Sequence, residues 1–341
     1  MRNFAALLCL LLAGCATGPF SQLETVTPTI PPPQLAALQK HTQSPDSLTN
    51  ANHLIAVSDV TVPLVPIHAD KTNRFRVPVV LATVNGKTGV PVLLDSGSNR
   101  PFVGASLAQS LGIPLIAGQK SFTGSGIGGT VENYPGVVPA LRIGTLQLEN
   151  LITIIGPDSQ SLAITRSFWG HRQTMIAGLN TFRRLSYLTI DHQRGTATFG
   201  IEKSYRPREG AKFVTSLPLR WSGDLPVVDI VLEGNRKFSC VLDTGGDYGL
   251  LLPRPVARLL GYWKPGAGKT DASHGVAGAA LVAAYEVSEA QLGGAALRRI
   301  PGRTTLTGPE PVDSQVLLGN VVLRAYRVTF DFRQNVVWLE Q

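Results

Sequence analysis

The chain has 341 residues, 43% of them hydrophobic and 16% charged, with a formal net charge of +8. That is an ordinary globular composition, with apolar material for a large core in one long or two medium domains. The basic residues are scattered and lie in no DNA- or RNA-binding motif, which argues against a nucleic-acid partner and suits an anionic envelope surface better.

The first residues, MRNFAALLCLLLAGC, carry one early positive charge, an apolar run from Phe4 to Leu12 and small residues before Cys15, the layout of an export signal. Read bare, they also allow an ordinary signal peptide or a short buried helix. The ending Leu12-Ala13-Gly14-Cys15 resembles the bacterial lipoprotein signal. That resemblance implies a signal peptide over 1–14, lipidation of Cys15 as the mature N-terminus, and, because Ala16 is no acidic retention cue, an outer-membrane address facing the periplasm. No later stretch approaches the roughly 20 apolar residues that span a bilayer, so the remainder is expected to be soluble and tethered. Loss of the signal leaves only Cys15 and Cys240, which excludes an internal disulfide. Cys240 reads as a small buried hydrophobe. Over 15–71 the chain is rich in Pro, Thr, Ser and Gln, including Pro31-Pro32-Pro33, and a semi-stiff spacer is expected, with one short helix at QLAALQK.

Beyond the spacer, extended Val/Leu-rich runs broken by many of the 35 glycines and 24 prolines predict a mainly β protein. VPVVLATVNGKTGVPVLLDSGSN (77–99) aligns without a gap on LPVVDIVLEGNRKFSCVLDTGGD (225–247) at an offset of 148, an internal repeat. Each copy reads as a β-hairpin, turning at Asn85-Gly86 or Glu233-Gly234-Asn235, whose second strand delivers an acid, Asp95 or Asp243. A short helix ending at Gly112 or Gly261 follows, then a glycine-rich stretch, 124–136 or 274–285. Each half closes alike, Gly178 matching Gly319 and, after one gap, Asp191 matching Asp331. Two homologous lobes, 72–205 and 206–341, are the economical explanation.

The order of apolar strand, D[ST]G, helix, glycine-rich hairpin and apolar-apolar-Gly (Ile176-Ala177-Gly178; Leu317-Leu318-Gly319) resembles the pepsin and retropepsin aspartic proteases, particularly their bacterial retropepsin-like relatives. One D[ST]G also makes ordinary turns, but two at equivalent points of a repeat are far more specific. The resemblance implies the acid-protease fold: two barrel-like lobes with a cleft between them, each giving one aspartate. It assigns Asp95 and Asp243 as the dyad. Ser96 and Thr244 would bond across the lobe junction, and Gly97 and Gly245 would let backbone approach the carboxylates. Ser98 and Gly246 differ: members of the family often have Ser, Thr or Ala here, so Gly246 removes a possible hydrogen bond to its carboxylate and leaves the acids inequivalent. Gly126, Gly128, Gly129 and Tyr134 in one lobe, and Gly275 and Gly278 in the other, occupy the place of the flaps; a strand-facing structural role for Tyr134 is equally open. Two carboxylates within a few Å share a proton, so that one is a base and the other an acid, and their titration belongs to the pair.

Other chemistries fit poorly. Gly124, Gly126 and Gly129 spell GxGxxG, yet TVENYPG continues as strand or turn and not as a dinucleotide-binding helix. The histidines at 41, 53, 68, 171, 192 and 274 have no paired spacing, so neither metal nor any other cofactor is expected. Ser96 has no GxSxG around it. Asp191 and Asp331 read as structural turn caps. Two function classes follow: a membrane-anchored aspartic endopeptidase acting on peptides or proteins as a monomer with both half-sites in one chain, or a catalytically silent lipoprotein of that fold that binds peptides or scaffolds envelope proteins. Two like charges face to face favour the enzyme, since a binding module has no physical need for them.

Overall fold

The computed structural model describes residues 27–48, 51–66, 77–158, 175–264, 269–275, 278–307 and 315–341. The expected signal peptide over 1–14 and Cys15 lie outside them. Among the described residues no helix is long and apolar enough to cross a membrane.

The leading segment forms α1 (Pro32–Gln39), β1 (Thr42–Gln43), β2 (His53–Ile55) and β3 (Val60–Pro63). The first repeat gives β4 (Val79–Val84), β5 (Lys87–Asp95), β6 (Phe102–Gly104), α2 (Ala105–Ser110), β7 (Leu115–Ile116), β8 (Phe122–Gly126), β9 (Gly129–Ile143), β10 (Leu146–Gly156), β11 (Met175–Gly178), β12 (Tyr187–Asp191) and β13 (Thr196–Gly200). The second gives β14 (Val214–Pro218), β15 (Arg220–Ser222), β16 (Leu225–Leu232), β17 (Arg236–Leu242), β18 (Leu250–Leu251), α3 (Arg254–Leu259), β19 (Lys269–Gly275), β20 (Gly278–Leu292), β21 (Ala295–Thr305), β22 (Val316–Leu318), α4 (Asn320–Leu323), β23 (Arg327–Asp331) and β24 (Val336–Glu340).

Strand pairing makes the repeat visible in space. In the first half β9, β4, β5, β11, β6 and β10 pair in that order and β10 pairs back to β9, closing a barrel. In the second, β20, β16, β17, β22, β18 and β21 close the same ring. The hairpin turns fit their residues: Asn85 and Gly86 both take positive φ, 46° and 82°, the two-residue turn whose twist matches the flanking strands. The Asn85 amide also donates to the Leu111 carbonyl at 2.6 Å, pinning the hairpin to the end of α2. Because β5 and β17 are interior barrel strands, they read as apolar runs: Val90, Val92, Leu93 and Leu94 are buried, as are Cys240, Val241 and Leu242. Closure leaves neither barrel a free edge at these strands.

The lobes also share a sheet in the order β14-β24-β23-β12-β13-β3, with strands from both halves. Thr189 lies opposite Thr329, its own counterpart in the repeat, and their hydroxyls are 2.8 Å apart. Asp191 accepts the Arg194 amide at 2.9 Å and Asp331 accepts those of Arg333 and Gln334 at 3.0 and 2.9 Å, so both cap turns at strand ends. At the lobe boundary, the Tyr205 amide donates to Asp331 at 2.9 Å and its hydroxyl to buried Glu340.

The segment expected to be a spacer over 15–71 is, in its described part, built into the fold. β1 runs parallel to β7, β2 pairs antiparallel with β10, and β3 edges the shared sheet beside β13. The helix expected at QLAALQK is present as α1, which starts two residues earlier and leaves Lys40 as its C-cap, and its Gln34 donates to Ser106 at 2.7 Å. The physical reason is a few spaced anchors, Ile30, Leu38, Val60 and Leu64, all buried against the first core, which an average over a polar composition hides.

Candidate active site

β5 ends at Asp95 and β17 runs directly into Asp243 because of what lies beside them. β5 runs parallel to β11 with Asp95 opposite Gly178, and β17 runs parallel to β22 with Leu242 opposite Leu318. The apolar-apolar-Gly segments then receive the acid loops. The Leu179 amide donates to the Ser98 carbonyl at 3.0 Å and the Asn320 amide to the Gly246 carbonyl at 2.7 Å. A Cβ on Gly178 would stand 2.7 Å from the Ser98 carbonyl oxygen, and one on Gly319 would stand 2.8 Å from that of Gly246, so only glycine fits under either loop.

The two D[ST]G loops hold each other reciprocally. The Ser96 hydroxyl donates to the Leu242 carbonyl, and the Thr244 hydroxyl to the Leu94 carbonyl at 2.7 Å. Each hydroxyl also accepts the other residue's amide, both at 3.0 Å. Ser96 and Thr244 are 2% and 1% exposed, so these four bonds work without competition from water. Gly97 packs on the carboxylate of Asp243 and Gly245 on that of Asp95: a Cβ at either would lie 2.5 or 2.3 Å from the carboxyl carbon. The glycines therefore let each loop's backbone lie against the opposite acid.

The carboxylates of Asp95 and Asp243 hydrogen-bond to each other, with Asp243 buried. Asp95 Oδ1 accepts the amides of Gly97 and Ser98 at 2.8 and 3.1 Å; Asp243 Oδ1 accepts that of Gly245 at 2.9 Å. Burial, and then the facing carboxylate of Asp243, hold Asp95 well above the usual carboxylate range, against the pull of its two amides. Burial raises Asp243 too, but a tyrosine hydroxyl, the bond with Asp95 and the amides of Gly245 and Gly246 oppose it.

That tyrosine, Tyr248, is the site residue that sequence reasoning missed. Its hydroxyl donates to Asp243 Oδ2. A Cβ on Gly246 would stand 2.4 Å from the Tyr248 ring and 2.7 Å from Asp243 Oδ2, so the bare glycine makes room for the phenol. The expected inequivalence of the acids is present with its sense reversed. Asp243 does receive a hydroxyl, whereas the Ser98 hydroxyl turns away to the Arg100 carbonyl at 2.8 Å and gives Asp95 none. The signal available in the sequence was a missing hydroxyl at Gly246 with a tyrosine two residues on.

The flap candidates form two hairpins. Gly126 pairs with Gly129 across the β8–β9 turn, and Gly275 with Gly278 across the β19–β20 turn. The hairpins meet tip to tip: a Cβ on Gly128, at φ +103°, would stand 2.4 Å from the Gly278 backbone. Tyr134 lies outside this meeting point, partly buried against the first core, with its hydroxyl engaging Glu132 and Ser121. Cys240 is buried behind the site and its thiol is pushed up by burial. Among the described residues no group of histidines, cysteines and acids is placed to hold a metal ion.

A family model described as aspartyl protease matches residues 80–179, which contain the first acid loop and its flap. The second barrel repeats the strand arrangement of the matched segment. Among solved structures, a retropepsin-like aspartic protease from Rickettsia conorii is similar at 17% identity and a TM-score of 0.29, over 38% of this chain and 90% of that one. No curated protein matches the chain.

Proposed function

We propose that this protein is a lipid-anchored aspartic endopeptidase that hydrolyses peptide bonds with a water activated between Asp95 and Asp243. The observation that carries the reading is the reciprocal cradle that brings two carboxylates into hydrogen-bond contact in a buried place. Such an arrangement costs folding energy and has a use only if the pair shares a proton. In the reaction the ionised carboxylate takes a proton from the water as its oxygen attacks the scissile carbonyl carbon, and the protonated one donates to the carbonyl oxygen. The gem-diol then collapses: its proton returns through the dyad, the amine nitrogen is protonated, and the C–N bond breaks to give a carboxylic acid and an amine. No covalent intermediate is formed. Flap tips that meet at Gly128 and Gly278 suit an extended peptide, which they would roof while excluding water.

The substrate is then a peptide or protein of the cell envelope, and the enzyme a monomer held by lipid on Cys15 at the outer membrane, facing the periplasm. The lipoprotein-like ending Leu12-Ala13-Gly14-Cys15 supports that address. The test is protein lacking residues 1–15 incubated with a diverse peptide mixture from acidic to neutral pH, beside Asp243→Asn, with new termini read by mass spectrometry. Cuts that vanish in the variant and with a statine-type transition-state analogue are expected. Absence of cuts from folded protein at every pH would replace the enzyme with a peptide-binding or scaffolding lipoprotein. For the anchor, Cys15→Ser is expected to release the protein from membranes, and its persistence there would overturn lipidation.

A further inference from the structure

We infer that Tyr248 is a positioning residue that places the shared proton of the dyad on Asp95 and leaves Asp243 as the base. This rests on the peptidase reading for its kinetic consequence, but not for the proton's position.

The second loop has lost its side chain at Gly246, and the space is filled by a ring whose hydroxyl ends on Asp243 Oδ2. A phenol donates to an ionised carboxylate far more strongly than to a protonated one. Asp95 has no hydroxyl donor to match, because Ser98 is committed to the Arg100 carbonyl. Asp95 Oδ1 accepts two amides and Asp243 Oδ1 one, so what favours charge on Asp243 is the phenol on its Oδ2. Tyr248 itself stays protonated as a donor, since burial and the charge of Asp243 push its phenol well above its ordinary value. The titratable groups that bear most strongly on this trio are one another and Cys240, whose buried thiol remains neutral. The ring has a fixed seat: Gly319 packs against its edge and against the Tyr248 carbonyl, which accepts the Val321 amide at 3.1 Å.

The sign of the pH effect follows. The phenol stabilises the ionised form of Asp243, so its removal raises the first ionisation of the dyad, and the acid limb of the kcat/KM profile moves to higher pH. A charge-assisted hydrogen bond of ordinary strength corresponds to about one pH unit, hence about tenfold lower kcat/KM at a fixed pH on that limb. Tyr248→Phe tests this. Tyr248→Leu combined with Gly246→Ser offers the hydroxyl from the family's usual place, and is expected to bring the limb back. Carbon-13 NMR titration of aspartate-labelled protein reads the proton directly, with no substrate. In the wild type Asp243 is expected to ionise first, and Tyr248→Phe to raise that step. Superimposable carboxylate titrations of wild type and folded Tyr248→Phe, or Asp95 ionising first in the wild type, would overturn the assignment. Should Tyr248→Phe not fold, the wild-type order still decides. Carboxylates that titrate as expected in a protein that cuts nothing would sink the peptidase reading alone.

Discussion

Thr244→Val removes a hydroxyl from the centre of the loop cradle at nearly constant shape. Two bonds go with it: the donation to the Leu94 carbonyl at 2.7 Å and the acceptance of the Ser96 amide at 3.0 Å. Both orphaned groups stay in a site where Thr244 is 1% exposed, beyond rescue by water. At about 1–3 kcal/mol for each buried group left unpaired, the substitution costs about 2–6 kcal/mol. With a urea m-value of about 3 kcal/mol/M, the midpoint falls by about 0.7–2 M. Ser96→Ala removes the other two bonds and is expected to cost a similar amount. The sharper claim concerns the pair. The four bonds bridge the same two loops, so once either hydroxyl is gone the loops part and the second loss costs less. A double-mutant cycle by equilibrium urea unfolding should then give a sub-additive sum, with a coupling of about 0.5–3 kcal/mol. Single costs below about 1 kcal/mol, or a double equal to the sum of singles within about 0.5 kcal/mol, would refute the cradle as one interlocked unit.

Further outcomes follow from the same geometry. Asp95→Asn is expected to lower kcat by about 100- to 10,000-fold while raising Tm by a few degrees at neutral pH. The native carboxyl is held above its unfolded value, so the native state binds the extra proton and stability falls as pH rises from the ordinary carboxylate range up to the raised native one; the Tm gain should therefore vanish in acid, and a gain independent of pH would contradict it. Gly128→Ala puts a Cβ 2.4 Å from the Gly278 backbone at a φ of +103°, so the tips should part: KM rises severalfold, amide exchange over 124–131 quickens, and the unfolding midpoint barely moves. A chain beginning at Val77 loses Ile30, Leu38, Val60 and Leu64 from the core, up to about 6–12 kcal/mol of burial, comparable to a whole protein's stability, and calorimetry should find no cooperative transition.

What the sequence discloses is what residue type alone can carry. An acid followed by a small hydroxyl and a glycine, twice at an offset of 148, specifies the loop because no other residues can bond across it and also lie against a carboxylate. The hairpin turns are legible at Asn85-Gly86 and Gly234-Asn235, since all four take positive φ. Contacts made by the chain's return are not legible. Tyr248 reaches Asp243 only because the loop after Gly246 doubles back, and an alignment that ends at Asp247 stops one residue short. The leading segment hides for a different reason: its strands are two to four residues long and take their register from the barrel rather than from any period of their own. The shared sheet escapes notice because β12 and β23 each look like the first strand of their own lobe's closing hairpin, and only the register of Thr189 on Thr329 joins them.

That register has an evolutionary consequence. Thr189 facing its own repeat copy marks a local twofold axis within a single polypeptide. In an assembly of identical subunits every substitution near such an axis appears twice, and an improvement on one side is imposed on the other. Duplication within one gene releases that constraint: the second half could trade a side chain at Gly246 for a phenol at Tyr248 while Ser98 and Arg100 stayed as they are. Covalent linkage also makes the meeting of the halves independent of protein concentration. A chain of this kind is free to diverge at its centre, where a symmetric ancestor would have to remain a compromise.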